Sequence, residues 1–139
     1  PSEILVDSIG IGSGVVDRMH ELGAPVRGVN VAEAPSMKET YNNLRTELWF
    51  KCKAWLEDRS CKLPSDDELL ADLTGIRYAF TSSGKMAAES KDAMRKRGLR
   101  SPDLADAVCL TMASDAATAL SGPMSRWRGA IKRNLQGIA

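Results

Sequence analysis

The chain has 139 residues, of which 43% are hydrophobic and 27% are charged, and its formal net charge is +1. This length and composition are typical of one globular domain and argue against an intrinsically disordered chain. No apolar run approaches the roughly 20 residues of a membrane span, and the N-terminus lacks a signal-peptide pattern, so we predict an intracellular protein without a membrane partner. One histidine and three cysteines without CxxC spacing argue against disulfide, zinc and Cys/His-nucleophile sites.

The first thirty residues predict a strand, a helix and a second strand. Residues 3–7 form a short apolar strand that ends at Asp7, a glycine-rich turn follows, a helix covers about 15–22, and a second apolar run occupies 26–31. A unit of this kind gives two parallel strands joined by a right-handed crossover. Asp7 then stands at the carboxyl end of the first strand, where open α/β sheets bind their ligands.

Two capping boxes predict helices in the middle of the chain. Ser36 with Glu39 predicts a helix that runs to about residue 57, and Ser65 with Glu68 predicts a short helix that ends near residue 73. The longer helix carries an aromatic stripe made of Tyr41, Trp49 and Trp55. A base-stacking platform is one interpretation of such a stripe, but at this spacing we interpret it as core.

The second half predicts a hairpin followed by two helices. Runs at 76–81 and 85–89 bracket Ser82-Ser83-Gly84, which is typical of a hairpin turn, and a basic helix then covers about 90–97. The last long helix has Ser101 as its N-cap and Pro102 as its first residue, and it runs to about residue 120. We therefore divide the chain into a domain over residues 1–122 and a basic C-terminal tail over 123–139.

Two carboxylates lie one turn apart on one face of that last helix. Asp103 falls in the first turn, where a negative charge complements the helix dipole. Asp106 lies deeper and shares its face with Cys109 and Leu110. An ionised carboxylate in this position needs a cation or several donors to offset its lost hydration, and a divalent metal ion would supply that charge.

A sheet that brings Asp7 to this helix would create a site of three carboxylates, which suits Mg²⁺ or Mn²⁺. Two such ions about 4 Å apart can activate a water and stabilise the leaving oxygen of a phosphodiester. Lys91 follows the hairpin and is a candidate contact to the scissile phosphate, although an exposed lysine on a basic helix is the alternative. Basic clusters at 95–100 and 126–133 permit a polyanionic partner, although clusters of this kind are more often solvated faces.

The Gly10-x-Gly12-x-Gly14 run permits a different interpretation, a small nucleotide-binding α/β protein. The run lacks the full dinucleotide-binding spacing, and the chain has no GKS or GKT sequence of a P-loop. Glycines here also allow a tight turn and a close approach of a phosphate or of the Asp103/Asp106 helix. We keep the nucleotide site as an alternative.

Several motifs together resemble the nuclease domain of tailed-phage terminase large subunits. In chain order they are Val6-Asp7-Ser8-Ile9-Gly10-Ile11-Gly12, Tyr41-Asn42-Asn43-Leu44-Arg45-Thr46-Glu47-Leu48-Trp49, Glu89-Ser90-Lys91 and Arg97-Gly98-Leu99-Arg100-Ser101-Pro102-Asp103-Leu104-Ala105-Asp106-Ala107. The resemblance covers roughly residues 3–115. It implies an α/β, RNase H-like fold with a parallel βαβ core, an added hairpin and flanking helices.

The resemblance also implies an activity and partners. The activity is cleavage of concatemeric double-stranded viral DNA during genome packaging, with two divalent ions, Mg²⁺ or Mn²⁺, in the host bacterial cytoplasm. The implied partners are double-stranded DNA, the terminase small subunit, the portal and an N-terminal ATPase domain of the same polypeptide. Asp7 matches the family's second acidic position, and Asp103 or Asp106 matches the last.

One part of the family pattern has no counterpart in this chain. The family's first aspartate lies on an earlier strand, whereas this chain begins without a methionine and enters its first strand almost at once. We therefore expect a sheet truncated at its N-terminal side and weak or no nuclease activity from the chain alone. A catalytically inactive DNA-binding or interaction fragment of a prophage terminase is the corresponding alternative.

Overall fold

A computed structural model describes residues 2–59 and 61–114 of the chain. The elements are, in order, β1 (Ile4–Asp7), α1 (Ile11–Glu21), β2 (Val26–Val29), α2 (Leu44–Glu57), α3 (Asp67–Gly75), β3 (Tyr78–Phe80), β4 (Met86–Ala88), α4 (Lys91–Lys96), α5 (Asp103–Leu110) and a 3₁₀ helix (Thr111–Ala113). Strands β1 and β2 pair in parallel, and β3 and β4 form an antiparallel hairpin. The predicted α/β class, parallel strand–helix–strand unit and hairpin are confirmed.

Helix α1 begins at Ile11, earlier than predicted, so two glycines of the glycine run lie inside it. Gly10 precedes the helix with a φ of 62°, a conformation that favours glycine. A Cβ at Gly12 would lie only 1.7 Å from the backbone oxygen of Asp7. Gly10 is thus explained by the turn, and Gly12 by the close packing of α1 on the end of β1.

Helix α2 begins at Leu44, not near Ser36, because the preceding segment makes other contacts. The amide of Ser36 donates to Glu47 Oε2 at 2.6 Å, and its hydroxyl donates to the other oxygen of that carboxylate. Residues 40–42 instead run beside the hairpin, where the amide of Asn42 donates to the backbone oxygen of Met86 at 3.0 Å. Asn43 is the N-cap, and its side chain accepts from the Thr46 amide.

The caps of two other helices also differ from the prediction. Helix α3 is capped by Asp66, whose side chain accepts from the Leu69 amide at 2.9 Å, so Ser65 is not the cap. Helix α5 begins at Asp103 with Pro102 as its N-cap, which places both Asp103 and Asp106 in the first turn. Regular α-helix ends at Leu110. The predicted continuation of this helix is wrong over 111–114, where a 3₁₀ turn leads into an extended Ser114. The predicted part beyond residue 114 and the basic tail over 123–139 fall outside the described residues.

The core lies where α2, α3 and α5 meet the C-terminal end of β2 at Val29. Its buried members are Val29, Leu48, Trp49, Cys52, Leu69, Ala105, Cys109 and Leu110. Trp49 is thus part of the core, as we predicted, and the half-buried Trp55 packs against it. Tyr41 precedes α2 and is half-buried beside Phe50, so its predicted place in the core is wrong. Among the described residues, no helix is long and apolar enough to cross a membrane.

Candidate functional site

Helices α4 and α5 bring Lys91, Asp103 and Asp106 together. Lys91 is the first residue of α4, directly after its N-cap Ser90. Its Nζ lies 3.2 Å from Asp103 Oδ1 and 3.1 Å from Asp106 Oδ2. Three of the four predicted site residues therefore form one cluster, in which the lysine bridges two carboxylates one turn apart.

Helix α2 supplies two donors to the deeper carboxylate of this cluster. Arg45 Nε and Trp49 Nε1 donate to Asp106 Oδ1 at 3.2 and 2.8 Å. Arg45 Nη2 also lies 3.1 Å from the same oxygen. Arg45, Lys91 and Trp49 of the chain itself thus compensate the hydration that the Asp106 carboxylate loses on burial.

The two oxygens of Asp106 differ in their surroundings. Oδ1 accepts the hydrogen bonds from Arg45 and Trp49. Oδ2 is buried and has no partner with hydrogen-bond geometry among the described residues, although the Lys91 ammonium lies within ion-pair distance. A buried carboxylate oxygen without a hydrogen bond has capacity to bind a cation.

Arg45 is itself held in place by the segment that leads into α4. Its Nη1 donates to the backbone oxygen of Glu89 at 2.9 Å, and its guanidinium lies 5.8 Å from the centre of the Trp49 ring. The Glu89 side chain is bound in turn by the guanidinium of Arg97. This pairing holds the pKa of Glu89 below its usual value. A chain of contacts thus connects Asp106 to the end of the hairpin.

The charges in the cluster are set by these contacts. Partial burial opposes the charged form of Lys91, but pairing with Asp106 and Asp103 outweighs burial and raises the pKa of the lysine. The hydroxyl of Ser101 donates to Asp103 at 2.7 Å, and this bond, together with Lys91, lowers the pKa of Asp103. The lysine is therefore protonated and Asp103 ionised at neutral pH.

Asp7 lies at the end of β1, as predicted, and its side chain is turned to its own loop. Its Oδ1 accepts from the Ile9 amide at 3.1 Å, and the residue is exposed. Across residues 2–59 and 61–114, no group of three or more His, Cys, Asp or Glu side chains is arranged to hold a metal ion. The structure therefore groups Asp103 and Asp106 with Lys91, and it does not bring Asp7 into a three-carboxylate group with them.

Sequence reasoning missed three residues that build this cluster. Arg45 and Trp49 lie one turn apart on α2, so the sequence predicts that they share a helical face. No local sequence pattern predicts that this face contacts Asp106. The third residue is Asp72 of α3, which is buried and whose Oδ2 accepts from the Leu104 amide at 3.1 Å. Asp72 fixes the start of α5, and Leu104, whose amide it accepts from, lies 32 residues further along the chain.

Comparisons with known proteins give one clear finding. The sequence matches no protein-family profile and no curated protein. The structure is similar to the nuclease domain of the large terminase subunit of bacterial virus Sf6, with a TM-score of 0.61, 21% identity and 81% of this chain covered. Lysine-to-alanine mutants of that domain, solved with manganese and beta-thujaplicinol or with calcium, give TM-scores of 0.67 and 0.66 at 21% identity and 81% coverage of this chain.

The chain spans 65% of the length of the Sf6 domain in these comparisons. The structural similarity includes the α/β architecture and extends over most of the described residues. At 21% sequence identity it shows a shared fold. The chain therefore has the fold of the nuclease domain of a phage large terminase subunit, over about two-thirds of that domain's length.

Proposed function

We propose that this chain is the metal-dependent nuclease part of a viral DNA-packaging terminase. The observation that carries the proposal is the Asp103–Lys91–Asp106 cluster at the start of α5, in a chain with the terminase nuclease fold. The solved neighbours hold manganese or calcium, which are divalent cations of the kind that carboxylate oxygens bind.

The cluster fits a divalent cation by its chemistry. Its ligands would be Asp103 and Asp106, since one positive group, the Lys91 ammonium, already lies between Asp103 Oδ1 and Asp106 Oδ2, and Oδ2 has no hydrogen bond among the described residues. Asp7, the residue that ends β1, is the proposed third ligand; its side chain binds the Ile9 amide in this structure and would have to turn from its own loop towards α5. Bound Mg²⁺ or Mn²⁺, two ions in the complete site, would supply Lewis-acid activation of water and stabilisation of the leaving oxygen.

The residues of the chain have separate parts in the proposed reaction. Asp103 and Asp106 provide anionic oxygens on a short helix that is fixed at its start. Lys91 carries a positive charge beside them, which favours the approach of a phosphodiester and offsets charge that develops on the phosphate. The proposed substrate is double-stranded viral DNA, and the proposed partners are the terminase small subunit, the portal and an ATPase domain of the same polypeptide.

The first test is calorimetric titration of the 139-residue chain with Mn²⁺ and Mg²⁺. We expect saturable binding that Asp106→Asn abolishes and that Asp7→Asn weakens. Asp92→Asn is the matched control, because Asp92 is an exposed carboxylate on α4 paired only with Arg95 among the described contacts. Metal binding that survives in the Asp106 variant would contradict the proposed ligand set.

The second test is DNA cleavage and DNA binding by the same variants. We expect weak or no cleavage of plasmid DNA by this chain alone, since it spans 65% of the Sf6 domain. Binding of DNA that is salt-sensitive, needs no metal and is unchanged in Asp106→Asn would instead support an inactive DNA-binding fragment. Thermal stabilisation by nucleotides, with none from metal ions, would support the nucleotide-binding alternative.

A further inference from the structure

The asymmetric surroundings of the Asp106 carboxylate carry an inference about two residues of α2. Both hydrogen bonds to this carboxylate go to Oδ1, from Arg45 Nε and Trp49 Nε1. Oδ2 is buried and lacks a hydrogen bond among the described residues, and the Lys91 ammonium lies 3.1 Å from it. A carboxylate held through one oxygen has a fixed orientation and presents its other oxygen to a positive partner, which is Lys91 in this structure and would be the cation in the metal-bound site.

We propose that Arg45 and Trp49 are positioning residues, which fix Asp106 through Oδ1 and thereby direct Oδ2 to the bound cation. This inference rests on the proposed metal site and adds two residues to it. Neither residue is expected to touch the cation or the substrate. Their effect is to hold one carboxylate in a single orientation before the cation arrives.

The geometry gives both side chains little freedom to move. Trp49 is 8% exposed and belongs to the core, so its indole N–H has a fixed direction. Arg45 is held at its other end by the backbone oxygen of Glu89 and lies against the Trp49 ring. The two donors come from successive turns of one helix, so they approach the same oxygen together.

The chemistry of the donors also fits this role. The Arg45 guanidinium offers several N–H groups in a fixed plane, whereas a lysine at the same place would offer one mobile ammonium. The Trp49 indole donates one hydrogen bond and adds no charge, so it orients the carboxylate without competing for a cation. At known metal sites, mutation of a residue that hydrogen-bonds to a metal ligand lowers the metal affinity by about 10- to 100-fold.

The test is the Mn²⁺ affinity of the 139-residue chain and of four variants. We expect Arg45→Lys and Trp49→Phe to weaken Mn²⁺ binding by about 10- to 100-fold. The controls are Arg95→Lys, on the exposed face of α4, and Trp55→Phe, the other described tryptophan of α2. Both controls are expected to bind Mn²⁺ within about twofold of the wild type.

A second readout separates positioning from general stability. In a titration with Mg²⁺, the indole N–H resonance of Trp49, assigned by its loss in Trp49→Phe, is expected to shift while that of Trp55 stays in place. Melting temperatures of the metal-free variants are measured alongside. If Arg45→Lys and Trp49→Phe lower the melting temperature yet keep the wild-type Mn²⁺ affinity, both residues are structural only and the inference is wrong.

The outcomes also distinguish this inference from the proposed function. If the wild-type chain binds neither Mn²⁺ nor Mg²⁺, the metal site itself is wrong and the inference falls with it. If the wild type binds and Asp106→Asn does not, while the two α2 variants bind normally, only the positioning role is overturned. If Asp106→Asn, Arg45→Lys and Trp49→Phe all lose Mn²⁺ affinity while the control variants keep it, both the metal site and the positioning role are supported.

Discussion

The Asp72 carboxylate caps helix α5 from another helix, by accepting from the Leu104 amide at 3.1 Å. The residue at the N-cap position of α5 is Pro102, whose side chain has no acceptor. Asp72 is buried on α3, and Arg100 pairs with it at 3.0 Å. A helix start that carries two candidate ligands is thus fixed by a charge from outside the local sequence.

Removal of this cap is expected to destabilise the fold. Asp72→Ala leaves the first amides of α5 without their acceptor and the Arg100 guanidinium without one partner, so we expect a loss of about 2 kcal/mol in the free energy of unfolding. Urea denaturation measures it. Asp67→Ala, an exposed acidic residue in the first turn of α3, is the control and is expected to cost less than about 0.5 kcal/mol. Equal losses in both variants would refute the capping role.

Two glycines of α1 are expected to respond in opposite directions to the same substitution. Gly12→Ala places a Cβ 1.7 Å from the Asp7 backbone oxygen, so α1 must move and we expect a loss of about 1–3 kcal/mol. Gly14→Ala meets nothing within 4 Å and is expected to stabilise the helix by about 0.5–1 kcal/mol. Thermal unfolding of the two variants gives the comparison. A neutral Gly12→Ala would show that α1 does not pack on the end of β1 in this way.

The buried carboxylate of Glu47 is expected to make stability depend on acid pH. Burial opposes its charge, but pairing with Lys51 and Ser36 outweighs burial and lowers the pKa of Glu47 below its usual value. A lowered pKa in the folded state contributes stability above the unfolded-state value, and this contribution is lost as the pH falls through the folded-state value. We expect Glu47→Gln to cost about 1–3 kcal/mol at pH 7.

The measurement is the free energy of unfolding of both proteins between pH 7 and pH 3. The difference between wild type and Glu47→Gln should narrow as the pH falls from the usual glutamate pKa towards the lower folded-state pKa of Glu47, because the unfolded chain binds the proton first. Glu57→Gln, at the exposed end of α2, is the control and should show little difference at any pH. A constant gap between wild type and Glu47→Gln across this range would contradict the pairing seen here.

The three thiols are expected to differ in reactivity. Cys52 and Cys109 are 1% and 2% exposed and lie side by side between α2 and α5, and the contact with Cys52 together with burial raises the pKa of Cys109. Cys61 is only half-buried. Labelling of the native chain with a thiol reagent should modify Cys61 rapidly and the other two at a rate limited by unfolding. Rapid labelling of all three thiols would mean that α2 and α5 separate readily.

Local sequence patterns predicted those elements whose signals lie within a few residues. The parallel unit from β1 to β2, the hairpin around Gly84 and helix α4 all follow from short apolar runs, turn residues and charge patterns. The predicted start of α2 near Ser36 was wrong. Ser36 and Glu39 match a capping box in sequence, but in the structure Ser36 binds Glu47 across the loop. A local motif cannot reveal that a distant partner competes for the same side chain.

The same distinction applies to the candidate site. The sequence alone placed Asp103 and Asp106 on one helical face, singled out Lys91 after the hairpin and required a cation or several donors around Asp106. It could do so because periodicity and the cost of burying a charge are local properties. Only the tertiary structure decided that Arg45 and Trp49 are those donors and that Asp72 fixes the helix start. These contacts join side chains that are 61, 57 and 32 residues apart in the chain, and packing of α2 and α3 on α5 brings them together.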